Sequence, residues 1–351
     1  MVAHVTPMMG TRLRLLAWMA CSTLAATASF TEEMQAALLS HQMNCSAPVM
    51  NLRDTHDGLG STIHVLTGAL ALAFNSGHVL TYGTWGENWT RGGECAEPGL
   101  GCFFQPLSPC PPKPASAFVD RANRGLQSAI PHGWQSRLPT MSDAELRQWW
   151  RAQGALFIVR LTPSAKREVA RMRGHLRLPA VLPKGTVSMH VRRADKGTEA
   201  DLVPLGAYFD EAERTLVARG ERARVVFLTT DGAEVDHELA SIPAGWAVIR
   251  PAGATYTPGG GLEVFSYSLA MQSMALLAVH LEADHFVGTR FSNWCRLIDE
   301  LRLVGPHPAC CLPYVDVPSP LPSIAPYNII ERLRRRSRMR TMDYFKYWRR
   351  M

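Results

Sequence analysis

The chain has 351 residues, 46% hydrophobic and 19% charged, with a formal net charge of +7 and eight cysteines. Such a hydrophobic share excludes an intrinsically disordered chain, and the length allows two α/β lobes rather than one. Much of the positive charge lies late, in Arg332-Leu333-Arg334-Arg335-Arg336-Ser337-Arg338-Met339-Arg340 and Lys346-Tyr347-Trp348-Arg349-Arg350; no nucleic-acid-binding motif accompanies it, so nucleic acid is not an expected partner.

Residues 1–30 read as a secretory signal. Arg12 and Arg14 precede the apolar Leu15-Leu16-Ala17-Trp18-Met19-Ala20-Cys21, and the small residues Ala25-Ala26-Thr27-Ala28-Ser29 follow. The apolar run is short for a membrane span of about 20 residues, which favours a cleaved signal over an anchor. An anchor would associate the chain with a membrane through its N-terminus. Either reading places the chain in the secretory pathway. The cysteines fit that compartment: Cys45, Cys95, Cys102 and Cys110 cluster early, and Cys295, Cys310 and Cys311 lie late. No Cys-x-x-Cys pair or Cys/His zinc spacing is present, so disulfides are expected in place of metal. Asn44-Cys45-Ser46 and Asn88-Trp89-Thr90 are glycosylation sequons, consistent with a lumenal chain.

Next, Asp57-Gly58-Leu59-Gly60-Ser61 opens an apolar-periodic helix from Ile63 to Phe74, followed by a strand over His78–Tyr82. A glycine-rich turn entering a helix suits an anion, though it serves plain helix entry equally well. Residues 98–115, rich in Pro, Gly and Cys, predict an irregular stapled segment. Ser142-Asp143-Ala144-Glu145 starts a helix that runs through Trp149-Trp150 toward Val159, and a second helix covers about 163–173.

From Gly185 the pattern alternates. Strands are expected at 185–191, 224–230, 246–250 and 285–289, and helices at 262–281 and 291–303. Alternating β and α elements imply an α/β fold whose C-terminal lobe is a doubly wound, Rossmann-like parallel sheet. Ligands bind such sheets at the carboxyl ends of the strands. Three features fall there: the run His190-Val191-Arg192-Arg193-Ala194-Asp195-Lys196-Gly197-Thr198-Glu199, then Asp231, then Ser292. Paired guanidinium forks at a strand end suit a diphosphate, because they bind its oxygens bidentately and stay charged. Asp231 suits a ribose hydroxyl or a base edge, or else a plain turn. Ser292 starts a helix, where its hydroxyl and backbone N–H groups can hold phosphate. His190 suits a phosphate contact or a half-buried strand position. Asp195 and Lys196 are read as a pair that shapes the loop. Glu199 is a candidate general base. The chain contains no Asp-x-Asp, the usual holder of a metal-bridged nucleotide-sugar diphosphate, so the arginines would replace the metal.

The 190–200 run resembles the hallmark loop of the α-1,6-fucosyltransferases, glycosyltransferase family 23, which includes the core-fucosylation and nodulation enzymes. Further stretches agree in order: Asn44-Cys45-Ser46, Trp149-Trp150 with Gln153, Phe227-Leu228-Thr229-Thr230-Asp231, and Thr289-Arg290-Phe291-Ser292-Asn293-Trp294-Cys295-Arg296. The resemblance covers about residues 45–303. It implies a two-lobed GT-B-type fold, with an N-terminal lobe at 31–180, a nucleotide-sugar lobe at 181–305 and a C-terminal extension at 306–351. It implies GDP-fucose as donor and no metal cofactor. Arg192 and Arg193 would contact the diphosphate, with His190, Asp231, Ser292, Gly58 and Gly60 also at the donor. Glu199 would deprotonate the acceptor hydroxyl in a single inverting displacement. The acceptor would be a glycan or glycoprotein, a GlcNAc-containing N-glycan fucosylated in α-1,6 linkage, and the compartment the Golgi lumen. Clustering and the family likeness together pair Cys45 with Cys110, and clustering pairs Cys95 with Cys102.

This chain also departs from the family pattern. The loop is one residue shorter between Lys196 and Glu199. Gly288 stands where the family has a cysteine, leaving Cys295 free or paired with Cys310 or Cys311. An apolar residue near Leu276 replaces a carboxylate, and the animal enzyme's coiled-coil stem and SH3-like module have no counterpart. These departures keep two alternatives in view: an O-fucosyltransferase-like or other GDP-sugar transferase, and a catalytically inactive secreted glycan- or nucleotide-binding protein.

Overall fold

In the computed structural model the described residues are 30–52, 58–82, 87–90, 93, 95, 99–111, 113–119, 129–139, 141–193, 202–253, 266–304 and 315–317. The expected signal segment, the loop residues Asp195, Lys196 and Glu199, and the basic tail lie outside them.

The elements divide into two units. The first spans residues up to 168 and also takes in 266–270 and 297–313; the second takes the rest.

The first unit begins with helix α1 (30–42). Strand β1 (Val49–Leu52), helix α2 (Leu59–Asn75) and strand β2 (Val79–Tyr82) then form a β–α–β crossover with β1 and β2 parallel. Strand β3 (Ala117–Val119) pairs with the other side of β1, also parallel, giving the order β2-β1-β3. Helix α2 starts four residues before the expected Ile63, because Gly58 is already its extended cap and Leu59 and Gly60 are already buried. The single turn α3 (Trp134–Arg137) leads to α4 (Asp143–Ile158). Ser142 and Glu145 cap α4 reciprocally: Ser142 Oγ accepts from Glu145 N at 3.3 Å, and the Glu145 carboxylate accepts from Ser142 N at 2.7 Å. Trp149 and Trp150 of α4 are buried. Helix α5 (Pro163–His175) follows.

Disulfides join Cys45 to Cys110 and Cys95 to Cys102. The segment 99–111 they staple holds one 3₁₀ turn (Gly99–Cys102) and a lone bridge from Phe104 to Leu161.

The second unit is built on a five-stranded sheet in the order β6-β5-β4-β7-β8, every pair parallel. Its strands are β4 (Val187–Val191), β5 (Val225–Thr230), β6 (Ala247–Ile249), β7 (His285–Gly288) and β8 (Val315–Asp316). Counting from β4, this is the 3-2-1-4-5 order of a doubly wound sheet. All five residues of central β4 are buried, as expected of a parallel strand covered on both faces. Val187, Met189 and Val191 pack with helix α6 (Leu205–Arg219) through Leu205, Tyr208, Phe209, Ala212 and Leu216. Those five carry the helical i, i+3, i+4, i+7 spacing, the signal for an element that motif reading alone passes over. Ser188 and His190 point to the opposite face, toward α8 (Tyr267–Glu282). The short α7 (Val235–Glu238) follows β5, and α9 (Asn293–Val304) follows β7.

Candidate functional site

The order of the second sheet reverses at β4: β5 and β6 lie on one side, β7 and β8 on the other. A crevice outside the carboxyl ends of β4 and β7 is where such sheets take ligands. Arg192 and Arg193 leave β4 at that end. Residues 289–292 leave β7 there and enter α9.

The two arginines are held differently. Arg192 is partly exposed and its Nη1 meets Oδ2 of Asp231. Arg193 is only 2% exposed; its Nη2 donates to Glu238 Oε1 at 2.8 Å and its backbone N–H donates to Asp231 Oδ1 at 2.6 Å. The other Glu238 oxygen accepts the N–H of Leu205, the first residue of α6, at 2.6 Å. Burial raises the Glu238 carboxyl, but hydrogen bonds from Arg193 and Leu205 and the Arg193 charge hold it below its usual range. The fork of Arg193 is therefore engaged within the protein, while Arg192 is the guanidinium at the surface. Gly232 makes this possible: a Cβ there would lie 2.4 Å from the Arg193 Cβ.

Asp231 does more than end its strand. One carboxylate oxygen fixes the backbone at Arg193 and the other faces Arg192.

His190 is buried beside this loop. Its Nδ1 lies 2.9 Å from the Thr229 hydroxyl. Burial, with help from the neighbouring Arg192 charge, pushes its pKa down to about 3, so the ring is neutral at physiological pH.

Ser292 is buried and caps α9, its Oγ accepting from Cys295 N at 3.3 Å. Its own N–H donates to Thr289 O at 3.1 Å, which sets the turn out of β7. Cys295, one turn into α9, is a free buried thiol whose Sγ reaches His190 O at 3.5 Å. That contact ties the start of α9 to the end of β4. Burial pushes the thiol pKa up, against hydrogen bonds from Thr289 and Ser292. Arg192, the His190 carbonyl and the α9 terminus thus share one corner of the sheet, where a positive side chain and a helix N-terminus both favour an anion.

Gly58 and Gly60 sit in the first unit, at the corresponding turn from β1 into α2. Gly58 caps α2 in an extended conformation, and nothing lies within 4 Å of a Cβ placed on it. Gly60 is buried in the first turn.

Glu238, His280 and Tyr208 belong to the site's support and are marked by no motif, and Thr229 is singled out only as part of the strand that ends at Asp231. Glu238 lies one short helix beyond the Asp231 strand end, a position that could have flagged it. His280 is the one imidazole of a mostly apolar helix, the kind of residue that needs a buried partner. Tyr208, whose hydroxyl hydrogen-bonds Thr289, has its pKa raised by burial.

No family model matches the sequence, and no curated protein matches it. Among solved structures the chain is similar to a NodZ α-1,6-fucosyltransferase crystal soaked with GDP-fucose, at 13% identity over 74% of this chain and 93% of that one, with a TM-score of 0.39. It is similar to POFUT1 in complex with GDP-fucose, at 11% identity over 78% of this chain and 99% of that one, with a TM-score of 0.42. It is similar to an arginine-to-lysine variant of Arabidopsis thaliana FUT1 in complex with GDP, at 11% identity over 82% of this chain and 81% of that one, with a TM-score of 0.45. At such low identities and TM-scores, what each residue does here rests on its own chemistry and geometry.

Proposed function

We propose that this chain is an inverting, metal-independent glycosyltransferase that moves fucose from GDP-fucose to a GlcNAc-containing glycan in α-1,6 linkage, in the Golgi lumen. The observation that carries the reading is the placement of Arg192 and the N-terminus of α9 at the same carboxyl ends of neighbouring strands, at the switch point of the second sheet. A nucleoside diphosphate matches that pairing of a guanidinium with helix N–H groups. The likeness of residues 190–200 to the α-1,6-fucosyltransferase loop supplies the donor's identity and the linkage.

In this reading the acceptor hydroxyl oxygen bonds to the anomeric carbon as the bond from that carbon to the β-phosphate oxygen breaks. The electron pair leaves on GDP, where Arg192 and the α9 N–H groups stabilise it. Arg193 and Asp231 hold the loop that presents Arg192. Glu199 takes the acceptor's proton, help that contributes about 10²–10⁴-fold in rate. The POFUT1 and NodZ complexes hold GDP-fucose, which agrees with this donor.

The test is GDP release from GDP-fucose by purified protein, with GlcNAc-terminated N-glycans as acceptors and EDTA present. Acceptor-dependent GDP release and an α-1,6-fucosylated product are expected. Inhibition by EDTA that manganese reverses would overturn metal independence, and absence of GDP binding by calorimetry would overturn the donor. Glu199→Gln should keep GDP affinity and lose turnover by about 10²-fold or more.

A further inference from the structure

Behind Arg192, on the face of the sheet covered by α8, three polar side chains form a linear hydrogen-bonded chain. His190 and Thr229 are register partners on β4 and β5. The Thr229 hydroxyl lies 2.9 Å from His190 Nδ1 and 2.8 Å from His280 Nε2. All three residues are buried, with exposures of 7%, 3% and 0%. Phe227 and Phe286 flank the His280 ring at centroid distances of 4.9 and 5.8 Å, which restricts how it turns.

A hydroxyl has one proton to donate. Among the described residues, the other acceptor near it is Met189 O at 3.5 Å, too long to compete with the two rings. When Thr229 donates to one imidazole, the other imidazole donates its N–H to the Thr229 oxygen. The chain therefore has two polarities. In one, His190 donates from Nδ1 and keeps a lone pair on Nε2. In the other, His280 donates from Nε2, Thr229 donates to His190 Nδ1, and His190 carries its proton on Nε2. A neutral ring facing an anion is favourable only in the second state, because the first sets a lone pair against oxygen lone pairs.

Resting on the reading that a nucleoside diphosphate occupies the ends of β4 and β7, we propose that Thr229 and His280 are positioning residues that hold His190 as the Nε2–H tautomer, so that a neutral imidazole donates a hydrogen bond to a diphosphate oxygen.

The test uses the full protein labelled with ¹⁵N-histidine. Long-range ¹H–¹⁵N correlation reports each ring's tautomer, with His190 assigned by its loss in His190→Gln. The expected result is a protonated Nε2 on His190 in the unliganded parent, lost to a mixture of tautomers in Thr229→Val, with GDP affinity weakened about tenfold, as for a hydrogen bond to a charged group. Thr229→Ser keeps the hydroxyl and should restore both readouts. If Thr229→Val does not fold, His280→Leu removes the upstream donor and should give the same mixture. A parent with Nδ1–H on His190, or Thr229→Val and His280→Leu that leave the tautomer unchanged, would overturn the proposal. A parent that shows the Nε2–H tautomer but binds no GDP would sink the nucleotide reading while supporting the tautomer assignment.

Discussion

The backbone N–H of Arg193 donates to Oδ1 of Asp231 across 2.6 Å, so the carboxylate that ends β5 fixes the loop that leaves β4. The other oxygen of the same group faces Arg192. The two neighbouring arginines thus answer to one aspartate through different atoms, and different effects follow when each is changed.

Arg193→Lys should act on stability first. A lysine keeps the charge but loses the planar fork, so the aligned hydrogen bond to the partly exposed Glu238 is lost, at a cost of about 1–3 kcal/mol. Arg192 is at the surface, so Arg192→Lys should melt near the parent temperature and bind GDP more weakly. Thermal melts set beside GDP calorimetry would check this. A variant pair with the same balance of stability and affinity would contradict it.

Acid should destabilise the protein through His190. Its folded pKa is about 3, below the ordinary 6.5, so the unfolded chain binds the proton first as pH falls. The stability it contributes is complete above about pH 6.5 and is lost as the pH drops toward 3, by up to about 1.4 kcal/mol per pH unit. Urea midpoints at pH 7 and pH 5 should fall more for the parent than for His190→Gln. Equal slopes would show that another group carries the acid response.

The two disulfides should differ in worth. Cys45–Cys110 closes a separation of 65 residues and Cys95–Cys102 one of 7. In the chain-entropy model the first contributes about 4 kcal/mol and the second about 2 kcal/mol. Paired Cys→Ala variants compared in urea test that ranking, and a greater loss from the short loop would reverse it.

Gly288 lies against the free thiol of Cys295, which predicts how to engage it. A Cβ on Gly288 would lie 3.2 Å from the Cys295 Cβ and 2.9 Å from the Phe286 ring. Gly288→Ala should therefore cost about 1–3 kcal/mol through overpacking. Gly288→Cys should recover part of that loss by bonding to Cys295, since disulfide Cβ atoms sit about 3.8 Å apart. Peptide mapping without reductant would detect the bond, and two free thiols would refute it.

Much of this arrangement was legible in the sequence. Several elements carry strong local signals: strand 225–230 is an apolar run ending in Asp231-Gly232, strand 285–288 is a short apolar run ending in Gly288, α4 opens on a Ser142-x-x-Glu145 box, and α9 opens on Ser292-Asn293. β1 and β3 do not. They are four and three residues long, and Met50 finds its partner Ala117 far along the chain. The 190–193 strand end was legible as an arginine pair, but not the division of labour inside it. Arg193 is set apart by Glu238, 45 residues away, and no local pattern announces a partner at that distance. The His190–Thr229–His280 chain was hidden for the same reason, being assembled from two strands and a helix.

The order of the second sheet also sets a timetable. β4 finds β5 within about 40 residues, but its other neighbour, β7, arrives about 100 residues after β4 does, with Val187 opposite His285. A chain emerging at about 5–20 residues per second leaves the Arg192 strand with one open edge for several seconds. During that interval the unpaired edge is exposed to any other strand nearby, and a truncation before His285 would make the exposure permanent.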